Sequence, residues 1–461
     1  MKNPKVALTL LVMILCLDSV ALGQRKVEVH VKDISIFDPH TGRMIPHRDI
    51  VVSDTRIVDV LPAGKYTGSA KTVINGSGKY AIPGLFDNHV HMARMTEVTA
   101  GLFLVYGITS VRDMGTEPAR IVDWRKRIAY GKFYGPRIVQ ACGPMLESRG
   151  EERKDHWVVK TPEDARAVVA RIAASGMDCV KLRTFADEKT YLAIAAAAAE
   201  YKLMLTGHAP EQLDPELALK AGQRTFEHAF YPYPLSKLTD EKKQALFSAF
   251  KASRAAVVPT LIAWKPFTQP TSELESMLNT YREGKDFELS PELLDHWERT
   301  IQVHRTQKRG SKGWRDAVTT ASSDIGEMHK AGVTVLPGSD TGAPFVVPGL
   351  ALHEELYLLV HAAGMTPAEV LSAATIGSAA FYGREKELGS IEPGKIADFV
   401  ILNKDPLQDI TYTRDIDAVV FRGEALTLAH LNIFRGKTKL GHKARLQPGF
   451  ETAKLVRYVS R

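Results

Sequence analysis

Two kinds of hydrophobic pattern divide the chain into three parts. Near both ends, short runs alternate apolar and polar residues between turn residues, as at 27–31, 56–60 and 417–421. Such alternation is typical of strands that bury one face. We therefore expect residues 24–80 and 386–461 to pair as the two parts of one small β-sandwich domain.

Between residues 81 and 385, apolar runs alternate instead with longer segments of helical pattern. Eight strand-like runs occur, at residues 81–91, 108–114, 137–143, 178–184, 204–209, 224–229, 256–262 and 333–340. Eight strands that alternate with helices are the pattern of a TIM barrel. The predicted fold class is therefore α/β, a (β/α)8 barrel with a small β-sandwich built from both chain ends.

One connection, residues 263–331, is much longer than the others. It is charged and helical in pattern, and it contains Trp264, Trp297 and Trp314. A connection of this length is uncommon unless it has its own structure or a function. Two interpretations are open: helices that form part of the substrate cavity wall, or an additional structural helix pair.

The first 23 residues have the pattern of an export signal. Lys2 and Lys5 precede an apolar run at 6–17, which is too short for a stable membrane span, and small residues follow at Ala21 and Gly23. We expect cleavage before Gln24 and a secreted or periplasmic protein that is free of the membrane. The alternatives are a retained anchor, or a lipid anchor at Cys16, which the preceding Leu15 disfavours.

Charge and cysteine content narrow the functional classes. The formal net charge of +7 is mild for 461 residues, and no basic stripe with interleaved aromatic residues occurs. We therefore expect no nucleic-acid partner. Beyond the predicted signal, Cys142 and Cys179 both lie in strand-like runs, which favours buried free thiols over a disulfide.

Ligand-type residues stand at the end of the first barrel run. Residues two apart in a strand point to the same face, so His89 and His91 both face inward at the carboxyl-terminal rim, where barrel chemistry occurs. Two such imidazoles can chelate one metal ion. A lone His-x-His pair is nevertheless a weak signal, and a purely structural role is an equal alternative.

Other strand ends carry further candidates. Lys181 faces the barrel interior if its neighbours Val180 and Leu182 pack outward, and a buried lysine is costly unless it is paired or chemically altered. The fifth, sixth and eighth runs end in His208, His228 and Asp340. Either histidine alone could be a hydrogen-bonded core residue, but six ligand-type residues at five strand ends favour a metal site.

The order of these six residues resembles the amidohydrolase superfamily. Residues 83–91, Pro-Gly-Leu-Phe-Asp-Asn-His-Val-His, and 391–398, Ile-Glu-Pro-Gly-Lys-Ile-Ala-Asp, are similar to its first-strand and carboxyl-terminal signatures. Within the superfamily, residues 109–113, 353–356 and 364–367 resemble the imidazolonepropionase-related branch that contains Xaa-Pro dipeptidases. The resemblance covers nearly the whole chain.

The resemblance implies a binuclear metal centre. His89, His91 and Asp340 would hold one divalent ion, His208 and His228 the other, and an N6-carboxylated Lys181 would bridge them. Zinc is the first choice of metal, because it accepts mixed histidine and carboxylate ligands. A metal-bridging hydroxide would attack the carbonyl, with Asp340 as the catalytic proton carrier.

Substrate contacts are expected in the loop after the sixth strand. Tyr231 follows His228 there, and its hydroxyl group is a candidate for binding the carbonyl oxygen or a substrate carboxylate. Tyr233 is a second candidate, with packing beneath the loop as the alternative. Arg149, Arg153 and His156 follow the third strand, where a solvated charged loop is favoured over an anion site.

The predicted function is hydrolysis of an amide or peptide bond, next to a free carboxylate, in a small-molecule substrate, by an enzyme that we expect to be a homo-oligomer. The first alternative is a mononuclear deaminase or cyclic-amide hydrolase, a mode that usually lacks the bridging lysine. An esterase or lactonase could use the same site. A non-catalytic scaffold is disfavoured, because all six ligand positions are occupied.

Overall fold

The computed structural model describes residues 27–184, 187–210, 213–228, 234–284, 286–306 and 310–435. The predicted export signal lies outside these ranges. Among the described residues, no helix combines the length and apolar composition needed to span a bilayer. Strands and helices are numbered below in chain order.

Strands from the two ends of the chain form one eight-stranded sheet. Its members are β1 (Val27–Asp38), β2 (Arg43–Ser53), β3 (Arg56–Pro62), β4 (Ala70–Asn75), β5 (Tyr80–Pro83), β16 (Phe399–Leu402), β17 (Ile416–Phe421) and β18 (Glu424–Thr427). The order is β18-β17-β16-β5-β1-β2-β3, with β4 also paired to β1. The two ends meet where β16 runs antiparallel to β5. That these strands form two stacked layers stays a prediction.

The middle of the chain forms the predicted parallel strands, which support a TIM-barrel-like fold. They are β6 (Leu85–Val90), β7 (Ile108–Asp113), β8 (Arg137–Ala141), β11 (Cys179–Thr184), β12 (Met204–Gly207), β13 (Gln223–Glu227), β14 (Ala256–Val258) and β15 (Thr334–Val335). Two short strands, β9 (Met145–Glu147) and β10 (His156–Val158), lie in the loop after β8.

Backbone hydrogen bonds close the ring where the parallel pairing is interrupted. The Asp178 amide donates to Ala141 across β8 and β11, and the Asn88 amide donates to Pro337 across the first and last strands. Both faces of β6 and β7 are fully buried, as expected for parallel strands covered by helices. The carboxyl ends of the eight strands therefore meet at one rim.

Helices lie between the parallel strands and after the last of them. They are α1 (Glu97–Val105), α2 (Pro118–Ala129), α3 (Pro162–Ala174), α4 (Glu188–Glu200), α5 (Pro215–Lys220), α6 (Asp240–Ser253), α7 (Thr271–Glu283), α8 (Pro291–Thr306), α9 (Gly310–Lys330), α10 (Leu350–His361), α11 (Pro367–Ser372), α12 (Ser378–Phe381) and α13 (Leu428–Arg435). Local sequence favours several of these helices. Thr161 and Asp164 form a capping box at the start of α3, and the run of alanines in α4 has a high helix propensity.

The first predicted run, 81–91, is not one strand. It divides at Gly84 into β5, which belongs to the eight-stranded sheet, and β6, which begins the barrel. The Gly84 amide donates to the carbonyl of Asp398, directly before β16, and a side chain at this position would collide with Thr109 of β7. The glycine therefore allows one continuous segment to pass from one sheet to the other.

Cys142 and Cys179 form a disulfide, so the prediction of free thiols was wrong. Cys142 directly follows β8 and Cys179 begins β11, and their Cα atoms are 4.6 Å apart. These strands are neighbours in the barrel, which brings together residues that lie 37 positions apart in sequence. Both residues are fully buried, as expected.

Candidate active site

His89 and His91 lie at the carboxyl end of β6. Their ring centroids are 5.3 Å apart. The side chain of His89 is completely buried, whereas that of His91 is 17% exposed. The pair thus spans from the closed interior of the barrel to the open rim, as the two-residue spacing predicts.

Asp340 joins these histidines from the loop after β15. Its Oδ1 atom lies 3.3 Å from Nε2 of His89 and 3.2 Å from Nε2 of His91. One ligand atom from each of the three residues lies within 4.8 Å of the others. The backbone helps, because the Asp340 amide donates to the carbonyl of His89 at 2.8 Å. Two imidazoles and a carboxylate in this arrangement fit a divalent metal ion.

Lys181 extends from β11 into the same space. The side chain is almost fully buried, and Nζ lies 3.5 Å from Nε2 of His89. Val180 and Leu182 pack into the hydrophobic core on the other face of the strand, as the alternation predicts. Burial lowers the pKa of Lys181 to about 8, against the opposing effect of Glu227 and Asp340.

His208 and His228 complete the cluster from the ends of β12 and β13. Their rings meet edge to face with centroids 4.6 Å apart, and the His228 ring lies 4.9 Å from that of His89. Nδ1 of His228 contacts Oγ1 of Thr260 at 2.9 Å. Burial lowers the pKa of His228 to about 4 and that of His208 well below its usual value, so both imidazoles are neutral, as metal ligands must be.

The electrostatics of Asp340 oppose its burial. Burial by itself raises the pKa of this carboxyl group, but His89, His91 and His228 beside it outweigh that effect. The pKa of Asp340 is therefore held below its usual range, and the side chain is a carboxylate. The structure thus brings all six predicted ligands into one cluster.

Three residues at the same rim have left-handed backbone conformations. His228, Thr260 and Asp340 have φ angles of 64°, 48° and 58°. Left-handed conformations are uncommon for residues other than glycine and occur preferentially at functional sites. These three residues follow three consecutive strands, β13, β14 and β15. Their conformation changes the direction of each side chain from the one that strand alternation would give.

The long connection lies beside this cluster. Oγ of Ser290, just before α8, donates to the carbonyl of Arg94, three residues after His91. On the same helix Trp297 packs on Phe345 in the loop after β15, with ring centroids 5.1 Å apart. His296 lies on the same helix. Burial, together with Arg94 and other nearby cations, lowers the pKa of His296 to about 4. These contacts place the connection beside the cluster, and both interpretations of its role stay predictions.

The loop after β8 contains the three residues that were considered for an anion site. His156 is buried and pairs with Asp155 at 2.9 Å and Glu147 at 3.5 Å, while Arg149 and Arg153 are exposed. The exposure of the two arginines fits the favoured interpretation of a solvated charged loop, whereas His156 is buried and contacts carboxylates of its own loop. Tyr231 and Tyr233 lie outside the described residues, so their predicted substrate contacts stay predictions.

Sequence reasoning missed several buried polar residues behind the cluster. Glu227 contacts His89, and Arg112 contacts Glu227. Asp87 accepts hydrogen bonds from the amide and hydroxyl groups of Ser339 at 2.9 and 2.5 Å. A signal for Glu227 was present: in 225–227, Thr-Phe-Glu, the outward apolar residue is Phe226, which turns both polar neighbours into the barrel.

Comparisons with known proteins agree with this geometry. Residues 80–426 match the amidohydrolase family. An imidazolonepropionase from Geobacillus kaustophilus (strain HTA426) is 40% identical over 363 residues, or 74% of this chain and 78% of that protein. An adenine deaminase from Chelativorans sp. (strain BNC1) is 28% identical over 205 residues, or 42% of this chain but only 34% of the deaminase.

Solved structures show the same architecture. A proposed prolidase from Bifidobacterium longum superposes with a TM-score of 0.69 and 26% identity, over 90% of this chain and 99% of that one. A Xaa-Pro dipeptidase superposes with a TM-score of 0.65 and 20% identity, over 87% of this chain and 99% of that one. At 20% identity, the likeness to the dipeptidase shows a shared fold alone.

Proposed function

The chain belongs to the amidohydrolase family, as its sequence motifs indicated, and on this premise we propose that it is a metal-dependent hydrolase of carbon–nitrogen bonds. The observation that carries the proposal is the convergence of His89, His91 and Asp340, whose ligand atoms lie within 4.8 Å of one another. The proposed substrate is an amide or peptide bond next to a free carboxylate.

The residues of the cluster fit two divalent metal ions, with zinc proposed. His89, His91 and Asp340 would hold one ion, and His208 with His228 the other. Lys181, buried beside His89, would carry a carboxylate: its ammonium group loses one proton, Nζ bonds to the carbon of carbon dioxide, and a second proton is released. This change replaces a buried ammonium group with an anion that suits neighbouring cations. When bound, such ions lower the pKa of water and polarise a carbonyl oxygen.

Asp340 is the proposed proton carrier. Its Oδ1 faces His89 and His91, and its Oδ2 lies 3.9 Å from Nδ1 of His228. Because the carboxylate is ionised, it can accept a proton from the attacking water and then deliver that proton to the leaving nitrogen. Tyr231 is proposed to bind the carbonyl oxygen or the substrate carboxylate, with Tyr233 as a further contact.

Two observations support a substrate with a free carboxylate. The Bifidobacterium longum structure is that of a proposed prolidase, and the resemblance to the branch that contains Xaa-Pro dipeptidases implies substrates with a carboxyl-terminal residue. In this chain, Arg94 lies close enough to His296, near the rim, for its charge to lower the pKa of that histidine. A guanidinium group beside the rim favours an anionic substrate end.

We predict that masking the carboxylate weakens hydrolysis. A Xaa-Pro dipeptide and an N-acyl amino acid would each be compared with the corresponding carboxyl-terminal methyl ester. The ester should show a kcat/KM that is roughly 10–100-fold lower, because a charge-assisted hydrogen bond of about 1.5–3 kcal/mol is lost. Equal rates for masked and free substrates would contradict the proposal that the enzyme binds a free carboxylate. They would favour an esterase, lactonase or cyclic-amide hydrolase.

The adenine deaminase relatives support a second candidate, a deaminase. Release of ammonia from an aminopurine, in the absence of peptide cleavage, would favour it. The burial of Lys181 among the other ligands favours the binuclear hydrolase, since mononuclear relatives usually lack this lysine.

We also propose export, with cleavage before Gln24. The disulfide between Cys142 and Cys179 supports this location, because such bonds persist mainly in oxidising compartments. The intact mass of protein recovered from its native host without reductant should correspond to a chain that starts at Gln24 and lacks two thiol hydrogens. A mass that includes Met1 or two free thiols would contradict this proposal.

A further inference from the structure

Two buried charged residues lie directly behind His89. Glu227, at the end of β13, has no exposed surface, and its Oε2 lies 2.7 Å from Nδ1 of His89. Arg112 of β7 is also fully buried and donates from Nη2 to both oxygens of Glu227, at 2.8 and 3.0 Å. Three barrel strands thus meet through one chain of charged hydrogen bonds.

The other donors of Arg112 are also used. Nε donates to the carbonyl of Asn88 at 2.7 Å, and Nη1 donates to Oγ1 of Thr225 at 2.9 Å. The Thr225 hydroxyl in turn donates to Oε1 of Glu227 at 2.5 Å. Because the guanidinium group is planar and held at three points, it fixes the plane of the carboxylate.

This arrangement determines which nitrogen of His89 is available. An anionic acceptor 2.7 Å from Nδ1 places the ring proton there, and Nε2 is left with its lone pair. That nitrogen points into the cluster, where it lies 3.3 Å from Asp340 and 3.5 Å from Nζ of Lys181. His228 differs, since its Nδ1 contacts the neutral hydroxyl group of Thr260.

We propose that Glu227 and Arg112 are positioning residues for the metal centre. Glu227 fixes the tautomer and the ring plane of His89, and Arg112 holds the glutamate in the orientation that faces this ring. The inference rests on the proposed metal-dependent function. Glu227 supports only the site formed by His89, His91 and Asp340. This site should therefore bind its ion more tightly than the site formed by His208 and His228.

The test separates metal binding from folding. Arg112→Met combined with Glu227→Met removes both charges together, so no unpaired charge remains buried, and such replacements are often neutral for stability. The thermal midpoint of the chelator-treated protein should therefore stay close to that of the wild type. Zn²⁺ affinity, measured by competition with a chromophoric chelator, should fall roughly 10–100-fold, as for other outer-sphere partners of metal-binding histidines.

Glu355→Gln is the matched control. Glu355 is an equally buried glutamate that accepts a hydrogen bond from the Ile262 amide at 2.9 Å. Burial raises its pKa to about 8, so near neutral pH the neutral glutamine closely replaces it. This variant should keep wild-type Zn²⁺ affinity.

Should the double variant fail to fold, Glu227→Gln retains the side-chain shape and removes only the charge, and its Zn²⁺ affinity should fall roughly 10-fold or more. Wild-type affinity in a folded variant of either kind would overturn the inference and leave Arg112 and Glu227 as a structural ion pair. If the wild type itself binds no metal, the proposed function fails instead, so the two failures are distinguishable.

Discussion

Lys181→Ala is expected to lose bound metal and nearly all turnover. The substitution removes the anionic group proposed to lie between the two ion positions, and it leaves a gap beside His89, which lies 3.5 Å from Nζ. Several kilocalories per mole of charge stabilisation disappear with the metal, which corresponds to roughly 10³-fold or more in kcat. Elemental analysis and steady-state kinetics on the same preparation would measure both effects.

The control for Lys181 is a second buried lysine far from the cluster. Lys395 is 7% exposed and donates to Ser390 in the segment before β16. Lys395→Ala removes a comparable side chain, so it should reduce stability while metal content and kcat stay near those of the wild type. A Lys181→Ala variant with full metal content and full turnover would show that no carboxylated lysine takes part.

Asp340→Asn is expected to separate metal binding from proton transfer. The amide keeps an oxygen near His89 and His91, so part of the metal should remain, but it cannot accept a proton. Because general acid–base help contributes roughly 10²–10⁴-fold, kcat should fall by that amount. Metal content and single-turnover rates would be compared, so that loss of the ion is not mistaken for loss of proton transfer.

Asp324→Asn provides the comparison for this variant. Asp324 is 6% exposed and accepts a hydrogen bond from the Leu235 amide at 3.0 Å, away from the ligand cluster. Replacement there should leave kcat unchanged. If Asp340→Asn turns over as fast as Asp324→Asn, then Asp340 has no role in proton transfer.

The ligand cluster was predictable because parallel strands obey simple rules. Alternation along a strand sets which face Lys181 occupies, and the barrel brings the carboxyl ends of all strands to one rim. His89, His91, His208, His228 and Asp340 were therefore identifiable as candidate ligands from their positions at strand ends. Their burial and mutual distances follow that placement.

Contacts between strands were harder to predict. Arg112 and Glu227 are 115 residues apart in sequence, and only the side-chain directions of two distant strands bring them together. The disulfide was missed for the same reason, since pairing of Cys142 with Cys179 depends on a Cα distance that no local pattern contains. The division at Gly84 likewise depends on the approach of Thr109 from the next strand.

Metal content per chain tests the central proposal most directly. Protein purified without chelators and saturated with Zn²⁺ would be dialysed against metal-free buffer and analysed by mass spectrometry of the elements, together with Lys181→Ala. The arrangement of the six proposed ligand residues predicts two zinc ions per wild-type chain and fewer in the variant. A wild-type chain that retains no divalent metal, yet hydrolyses its substrate at the same rate with chelator present, would contradict it.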